Sequence, residues 1–255
     1  MNIDISVVMP ALNEEANINK TIEDLLNAFR KLKINGEIIV VNDGSTDGTK
    51  TITESFMDKY TNIRITNHQE PQGIGNAYWD GVEESNGECI TWIPADGEND
   101  AFEILRYLPL MDHVDIIVPY VYNKETRSWK RRLLSKTYKA IINLSFGMIL
   151  NYMNGTVIFR RSILEEIDLR SGGFFFQTEL LIKTIKKGYL YAEVPYGLNI
   201  RASGQSKALS LSSLYKVISG YIGMLFSVYV SGNRERSLSH DSVTLKRRMI
   251  LEGKN

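Results

Sequence analysis

Residues 37–48 read Glu-Ile-Ile-Val-Val-Asn-Asp-Gly-Ser-Thr-Asp-Gly, and this stretch decides the fold class. Its first part, Glu37 to Val41, is an apolar run of strand length and predicts a buried β-strand. The Asp-Gly-Ser-Thr-Asp-Gly run that follows is typical of a tight turn that opens a helix. A strand that passes through a turn into a helix is the repeating unit of α/β proteins.

The same alternation continues along the chain. Apolar runs predict further strands over residues 3–9, 63–66, 89–93, 115–119, 156–159 and 191–194. Helical spacing of apolar residues predicts helices over 18–29, from the turn at 43–48 to Tyr60, and over 73–85, 128–146 and 175–187. This pattern predicts an α/β fold with a mostly parallel sheet and helices on both faces.

Acidic and polar residues gather at the ends of three predicted strands. In an open parallel sheet, ligands bind beyond the carboxyl ends of the strands. The residues at these three ends are Pro10, Leu12, Asn13, Glu14 and Glu15; Asn42 and Asp43; and Pro94, Asp96, Glu98 and Asp100. Carboxylates that lie close together repel one another, so the pattern indicates a cation or a polyhydroxyl ligand.

Two of these ends carry specific candidates. Asp43 lies where a strand-end carboxylate can accept hydrogen bonds from a nucleobase or a ribose, although these residues taken alone favour a simple turn with a helix cap. Asp96-Gly97-Glu98 sets two carboxylates two residues apart in a turn. A Mg²⁺ ion takes few protein carboxylates and completes its shell with substrate phosphates and water, while the alternative is an ordinary surface turn.

Two basic segments are candidate anion sites. Six basic residues and no acidic residue occur between Arg127 and Lys139, in a segment that includes Arg131, Arg132 and Ser135. A second constellation, Arg201 with Ser206 and Lys207, lies in a Gly- and Ser-containing loop. Arg binds phosphate well in bidentate geometry, whereas the alternative for each segment is a solvated surface.

Composition excludes some functions and leaves others open. Lys+Arg and Asp+Glu both number 30 in 255 residues, so bulk charge gives no reason to propose a nucleic-acid partner. The one cysteine, Cys89, lies in an apolar run and is predicted to be buried. The three histidines show no metal-ligand spacing, and we assign them no function. The first residues lack a secretory signal pattern, which leads us to expect a cytoplasmic protein.

Seven segments in order resemble one known family. They are residues 8–15 (Val-Met-Pro-Ala-Leu-Asn-Glu-Glu), 41–49 (Val-Asn-Asp-Gly-Ser-Thr-Asp-Gly-Thr), 73–77, 95–97 (Ala-Asp-Gly), 176–179 (Phe-Gln-Thr-Glu), 193–195 (Glu-Val-Pro) and 201–207. Together they resemble the family 2 inverting glycosyltransferases, and among them the polyprenyl-phosphate sugar transferases of the dolichol-phosphate mannose synthase type. The resemblance covers most of the chain, from about Val7 to Lys207.

The resemblance implies a GT-A fold and a set of roles. It implies that Pro10, Leu12, Glu14 and Asp43 hold the donor nucleotide, and we assign Gly73, in another matching segment, to the same role. It implies that Asp96 binds a divalent metal, Mg²⁺ or Mn²⁺, and Glu98 is our second candidate ligand because it supplies a negative charge two residues on. Arg131 and Ser135 match an acceptor-side motif, and Arg201 and Lys207 match a loop that closes over phosphate. The basic and polar residues around them add Arg127, Arg132 and Ser206 as candidate acceptor or phosphate contacts, and the candidate catalytic residues are Asp96, Glu179 and Arg201. One departure is clear, because the family usually has Asp-x-Asp at the metal site and Pro94 replaces the first Asp here.

The chemistry of the acceptor separates the possible reactions. A lipid phosphate has a second pKa near 6 and is largely ionised at neutral pH, so it needs positive charge rather than a general base. The segment from Arg127 to Ser135 therefore favours polyprenyl (undecaprenyl or dolichyl) phosphate as the acceptor. A saccharide hydroxyl needs a base, for which Glu179 is the candidate. A catalytically inactive nucleotide-sugar-binding module remains a further alternative.

The expected organisation follows from these assignments. Residues 1–210 form the GT-A domain, with a nucleotide-sugar half at 1–100 and an acceptor half at 101–210. Residues 211–232 form an apolar or interfacial helix, because the uncharged run within them, Val217 to Val230, has only fourteen residues and a membrane span requires roughly 20. Residues 233–255 form a loose polar tail. We expect a peripheral enzyme of cell-envelope glycan synthesis at the cytoplasmic face of a membrane, and a homodimer is possible.

Overall fold

The computed structural model describes residues 2–123, 129–167, 172–173, 175–199, 211–229 and 238–253. Its strands are β1 (Ile5–Ala11), β2 (Gly36–Asn42), β3 (Ile63–Asn67), β4 (Cys89–Trp92), β5 (Ile116–Val121), β6 (Ile158–Arg160) and β7 (Tyr191–Tyr196). Its helices are α1 (Ile18–Leu32), α2 (Thr49–Met57), α3 (Ile74–Glu83), α4 (Ala101–Leu105), α5 (Trp129–Phe146), α6 (Arg161–Glu165), α7 (Phe176–Lys187), α8 (Leu211–Tyr229) and α9 (Val243–Leu251). The predicted strands and helices are therefore present, with ends that differ by a few residues.

The seven described strands form one sheet in the order β3-β2-β1-β4-β6-β5-β7. All neighbouring pairs are parallel except those that involve β6, which runs antiparallel to β4 and to β5. The prediction of a mostly parallel sheet is confirmed. From β1 the chain moves outward through β2 to β3 and then returns to place β4 on the other side of β1. This reversal is the topological switch point, where ligands bind in open α/β sheets.

The central strands are buried on both faces, which explains their uninterrupted apolar sequences. Every residue of β1 is buried. Val7 and Met9 belong to the core that includes α1, whereas Val8 belongs to the core that includes α3. A Cβ atom at Gly81 of α3 would lie 2.3 Å from Val8 Cγ1, so this glycine lets α3 approach the sheet closely.

The prediction of a loose tail is wrong for residues 238–253. Ser242 caps α9 by accepting a hydrogen bond from Leu245 N–H (3.2 Å). Asp115, at the start of β5, is fully buried and accepts hydrogen bonds from Val243 N–H (2.7 Å) and Thr244 N–H (3.0 Å). A buried carboxylate distant in sequence thus holds the first turn of a helix whose last residues, Met249 to Leu251, are exposed.

Candidate active site

The segments that follow β1, β2 and β4 are hydrogen-bonded side by side at the switch point. Asp43 N–H donates to the carbonyl of Ala11 (2.8 Å), and Ala95 N–H donates to the carbonyl of Pro10 (3.2 Å). These bonds continue the parallel pairing beyond the ends of the strands. Residues 43 and 96, which are separated by more than fifty positions, consequently flank the same two residues of β1.

The loop after β1 is fastened to the turn after β2. Asn13 adopts a left-handed conformation (φ 56°), which Asn tolerates better than most residues, and its Oδ1 accepts a hydrogen bond from Thr46 N–H (2.8 Å). Glu14 N–H donates to Thr49 Oγ1 (2.9 Å), and the Glu14 carboxylate accepts from Asn17 Nδ2 (2.8 Å). These bonds hold residues 13–14 against the turn that begins at Asp43.

Asp47 shows how strongly this turn is organised. Partial burial alone would raise the pKa of its carboxyl, but hydrogen bonds from Thr49 and from the backbone N–H of Glu15 outweigh it and lower the pKa. Gly48 N–H donates in turn to the Glu15 carboxylate (2.6 Å). The two loops therefore hold each other in one arrangement.

The buried carboxylate of Asp43 anchors the loop before α3. Its Oδ1 accepts a hydrogen bond from Gln72 N–H (2.7 Å), and its Oδ2 accepts one from Gly73 N–H (2.9 Å). Gly73 has φ 99°, a backbone conformation that residues other than glycine rarely adopt. The structure thus brings together Asp43 and Gly73, two residues that the resemblance and its matching segments assign to the donor nucleotide.

One contact at this site was not predicted from the sequence. His68, to which we assigned no function, lies with Nδ1 2.7 Å from Asp43 Oδ1 and Nε2 2.8 Å from Asp80 Oδ2. The three side chains come from the residue after β2, the residue after β3 and α3. Neither the spacing nor the local sequence of His68 signals this contact, because it depends on how α3 packs.

Asp96 and Glu98 form a compact acidic turn after β4. Glu98 N–H donates to Asp96 Oδ1 (3.1 Å), and Gly97 between them has φ 73°. Both carboxylates are partly exposed. The described residues contain no group of three or more His, Cys, Asp or Glu side chains that could hold a metal ion. Two oxygen ligands nonetheless suit a hard cation that takes its other ligands from phosphate and water.

The acidic turn is also tied to the second half of the chain. Asn199 N–H donates to the carbonyl of Glu98 (2.9 Å), and Asn99 pairs with Leu198 in an isolated antiparallel bridge. Arg201 follows Asn199 by two positions in the sequence. Arg201, Ser206, Lys207 and Arg127 lie outside the described residues, as does the side chain of Arg131.

Three of the predicted acceptor residues, Arg131, Arg132 and Ser135, lie on α5, and the candidate base Glu179 lies on α7. Arg132 is exposed and Ser135 is partly exposed on α5. Tyr138 of α5 donates a hydrogen bond from its hydroxyl to Thr178 of α7 (2.7 Å), and burial raises the pKa of Tyr138 to about 12 although this bond opposes the rise. Next to Thr178, the buried Glu179 forms an ion pair with Lys183 on the same helix.

Comparison with known proteins assigns the family. The family model described as "Glycosyl transferase family 2" matches residues 6–168, which include all three strand ends of the site. The chain belongs to glycosyl transferase family 2.

Two curated relatives of this family 2 chain act on lipid phosphates, according to their names. It is 28% identical over 211 residues to a dolichol-phosphate mannosyltransferase of Pyrococcus furiosus, a match that covers 80% of this chain and 58% of the relative. It is also 28% identical over 214 residues to a polyprenol monophosphomannose synthase of Mycolicibacterium smegmatis, with 79% of each chain covered. The chain thus spans less than two thirds of the length of the Pyrococcus protein.

Solved structures confirm the GT-A fold of this family 2 glycosyltransferase. Glucosyl-3-phosphoglycerate synthase from Mycobacterium tuberculosis, in complex with Mg²⁺ and UDP, superimposes with a TM-score of 0.67 at 21% identity, covering 88% of this chain and 79% of the other. The same enzyme with Mn²⁺, UDP-glucose and phosphoglyceric acid gives a TM-score of 0.66 at 21% identity, covering 88% and 80%. At this identity the likeness establishes the fold.

Proposed function

We propose that this family 2 glycosyltransferase moves a sugar from a nucleoside-diphosphate sugar to polyprenyl phosphate. The observation that carries the proposal is the junction of the Asp43 and Asp96 segments on either side of Pro10 and Ala11, at the switch point of the sheet. A nucleoside and its diphosphate span such a crevice when one end provides hydrogen-bond acceptors and the other binds a cation. The two curated relatives support the lipid-phosphate acceptor by their names.

The two sides of the crevice bind different parts of the donor. Pro10, Leu12, Glu14, Asp43 and Gly73 contact the nucleoside. Asp96 and Glu98 hold Mg²⁺ or Mn²⁺ against the diphosphate, with Glu98 restoring the negative charge that Pro94 removes. When bound, the metal neutralises the charge that develops on the departing diphosphate. Arg201 and Lys207 contribute positive charge to the same leaving group.

The reaction is a single displacement with inversion at the anomeric carbon. An ionised oxygen of the acceptor phosphate forms a bond to that carbon as the bond to the donor diphosphate breaks, and the nucleoside diphosphate leaves. Arg127, Arg131, Arg132, Ser135 and Ser206 hold the acceptor phosphate. The existing ion pair between Glu179 and Lys183 favours a phosphate nucleophile over a hydroxyl, because a phosphate needs no general base.

Nucleotide and metal together are expected to stabilise the protein. Binding to the folded state at a hundredfold excess over the dissociation constant adds about 2.7 kcal/mol, which corresponds to roughly 5–10 °C in melting temperature for a chain of this size. The measurement compares UDP and GDP, each with and without Mn²⁺, and Mn²⁺ alone is the control. A folded protein whose melting temperature responds to neither nucleotide would contradict donor binding.

The membrane is the proposed source of the acceptor, and α5 and α8 provide the surface that meets it. The two helices are joined by a hydrogen bond between the hydroxyls of Ser145 and Tyr221 (2.7 Å). Next to this junction lies the α5–α8 apolar surface, made of exposed side chains: Ile141, Leu144, Ile218, Ile222, Phe226 and Tyr229. The side chain of Leu144 is 88% exposed. Exposure of a cluster of apolar side chains to water costs free energy, so such a surface indicates a partner that covers it.

Charge favours an anionic lipid surface as that partner over a second copy of the chain. Neither α5 nor α8 contains an acidic residue, while both contain basic ones, including Lys136 and Lys216. The cytoplasmic leaflet carries a negative surface potential that attracts such helices, which supports peripheral binding at that face. In the part of the chain that the structure describes, no helix has the length and apolar character to cross a membrane.

Substitution of Leu144 by Glu is expected to weaken binding to vesicles that contain anionic phosphatidylglycerol at least about tenfold. The change removes an apolar side chain from the interface and adds a negative charge beside it. Vesicle co-sedimentation measures the effect, and Leu251→Glu, at an 86% exposed position on α9, is the matched control. Equal binding of both variants would contradict the assignment, as would a dimer that dissociates with Leu144→Glu, which would assign the surface to self-association.

A further inference from the structure

His68 joins two carboxylates at the donor side of the crevice. Its side chain is 6% exposed, as is that of Asp43, whereas that of Asp80 is 40% exposed. The backbone of His68 is itself held, because its N–H donates to the carbonyl of Asn42 (2.9 Å). The imidazole therefore forms a fixed bridge from the end of β2 to α3.

The contacts of Asp43 leave one acceptor position open in the described structure. Oδ1 faces both His68 Nδ1 and Gln72 N–H, each at 2.7 Å, which fills its two lone-pair directions. Oδ2 accepts from Gly73 N–H alone (2.9 Å) and keeps one lone-pair direction. A nucleobase N–H or a ribose hydroxyl fits that direction.

Both nitrogens of the ring are engaged by carboxylates. Nδ1 lies 2.7 Å from Asp43 Oδ1 and Nε2 lies 2.8 Å from Asp80 Oδ2, so the two contacts together fix the plane and the position of the imidazole. Asp80 thus holds the far side of the ring while Nδ1 contacts Asp43 Oδ1.

We propose that His68, held by Asp80, is the positioning residue that orients Asp43 so that its Oδ2 recognises the donor nucleoside. The proposal rests on the proposed function and extends it to a residue that acts on the nucleoside half of the donor alone. The diphosphate half depends on the Asp96–Glu98 turn after β4, whose described contacts do not include His68. The two halves of the donor can therefore be tested separately.

The experiment is calorimetric titration of UDP and GDP in the presence of Mn²⁺, with pyrophosphate and Mn²⁺ as a competitor that lacks the nucleoside. His68→Ala is expected to weaken the preferred nucleotide at least about tenfold, and Asp80→Ala about three- to tenfold, with pyrophosphate binding unchanged. His113→Ala, which changes an exposed histidine, is the matched control. In an Asp43→Asn background, His68→Ala should have no further effect.

Several results would overturn the proposal. One is that His68→Ala and Asp80→Ala both bind the nucleotide with wild-type affinity. Another is that His68→Ala loses affinity for the nucleotide and for pyrophosphate equally, which would give His68 a purely structural role. If His68→Ala does not fold, Asp80→Ala at its partly exposed helix position decides the question. If the wild-type protein binds neither nucleotide, the proposed function itself fails and this proposal fails with it.

Discussion

Replacement of Asp96 by Asn is expected to lower the rate of sugar transfer at least about 100-fold while the protein remains folded. Asn keeps a carbonyl oxygen that accepts the hydrogen bond from Glu98 N–H, so the turn at Gly97 persists. The substitution removes the negative charge to which we assign metal binding. Because Pro94 stands where the family usually has the first Asp, we expect Asp96 to carry more of the metal binding than it would in a site with both acids.

The measurement is the turnover number with saturating donor and acceptor, over a range of Mn²⁺ concentrations. Asp58→Asn is the matched control, since Asp58 is exposed at the end of α2 and far from the strand ends of the site in sequence. Its rate should match that of the wild-type protein. An Asp96→Asn protein that retains most of its activity would remove the basis for the metal assignment.

Replacement of Asp115 by Ala is expected to lower the free energy of unfolding by about 3–5 kcal/mol. The carboxylate is fully buried and accepts hydrogen bonds from Val243 N–H, Thr244 N–H and the Thr244 hydroxyl. Its Oδ1 also lies 3.5 Å from Nε of Arg160, whose side chain is 15% exposed. Alanine leaves two backbone donors without their acceptor and this guanidinium without its counterion.

Urea denaturation of the two proteins measures the difference. Asp112→Ala serves as the control, because Asp112 is exposed three residues earlier and its loss should change stability by less than about 0.5 kcal/mol. Proteolysis near α9 should also accelerate in Asp115→Ala, since that helix is docked by the lost hydrogen bonds. A stability equal to that of the control would show that α9 does not depend on this buried carboxylate.

The sheet and the strand ends of the site were predictable because their signals are local. Strands such as β1 and β2 are buried on both faces, so their central residues, Val7 to Met9 and Ile38 to Val41, read as short apolar runs. The order of parallel strands then places Asp43 and Asp96 at one edge, since both follow strands that neighbour β1. The basic helix α5 was predictable for the same reason.

The remaining contacts were not predictable because they depend on packing between distant segments. His68 reaches Asp43 over 25 positions and Asp80 over 12, and no periodicity connects these residues. Asp115 caps a helix that begins 128 positions later. The many polar residues beyond Gly232 suggested a loose tail, because no local pattern shows that Asp115 accepts the N–H groups at the start of α9 or that Leu238 and Leu245 pack on the core.

Transfer of a sugar to polyprenyl phosphate can be followed directly with a labelled sugar. The protein is incubated with Mn²⁺, undecaprenyl phosphate and a panel of radiolabelled GDP- and UDP-sugars, and the label is then partitioned between water and organic solvent. We expect label in the organic phase with one class of donor, only when both the lipid and the metal are present. A folded protein that binds nucleotide but leaves all label in the aqueous phase with every donor would contradict the proposed transfer.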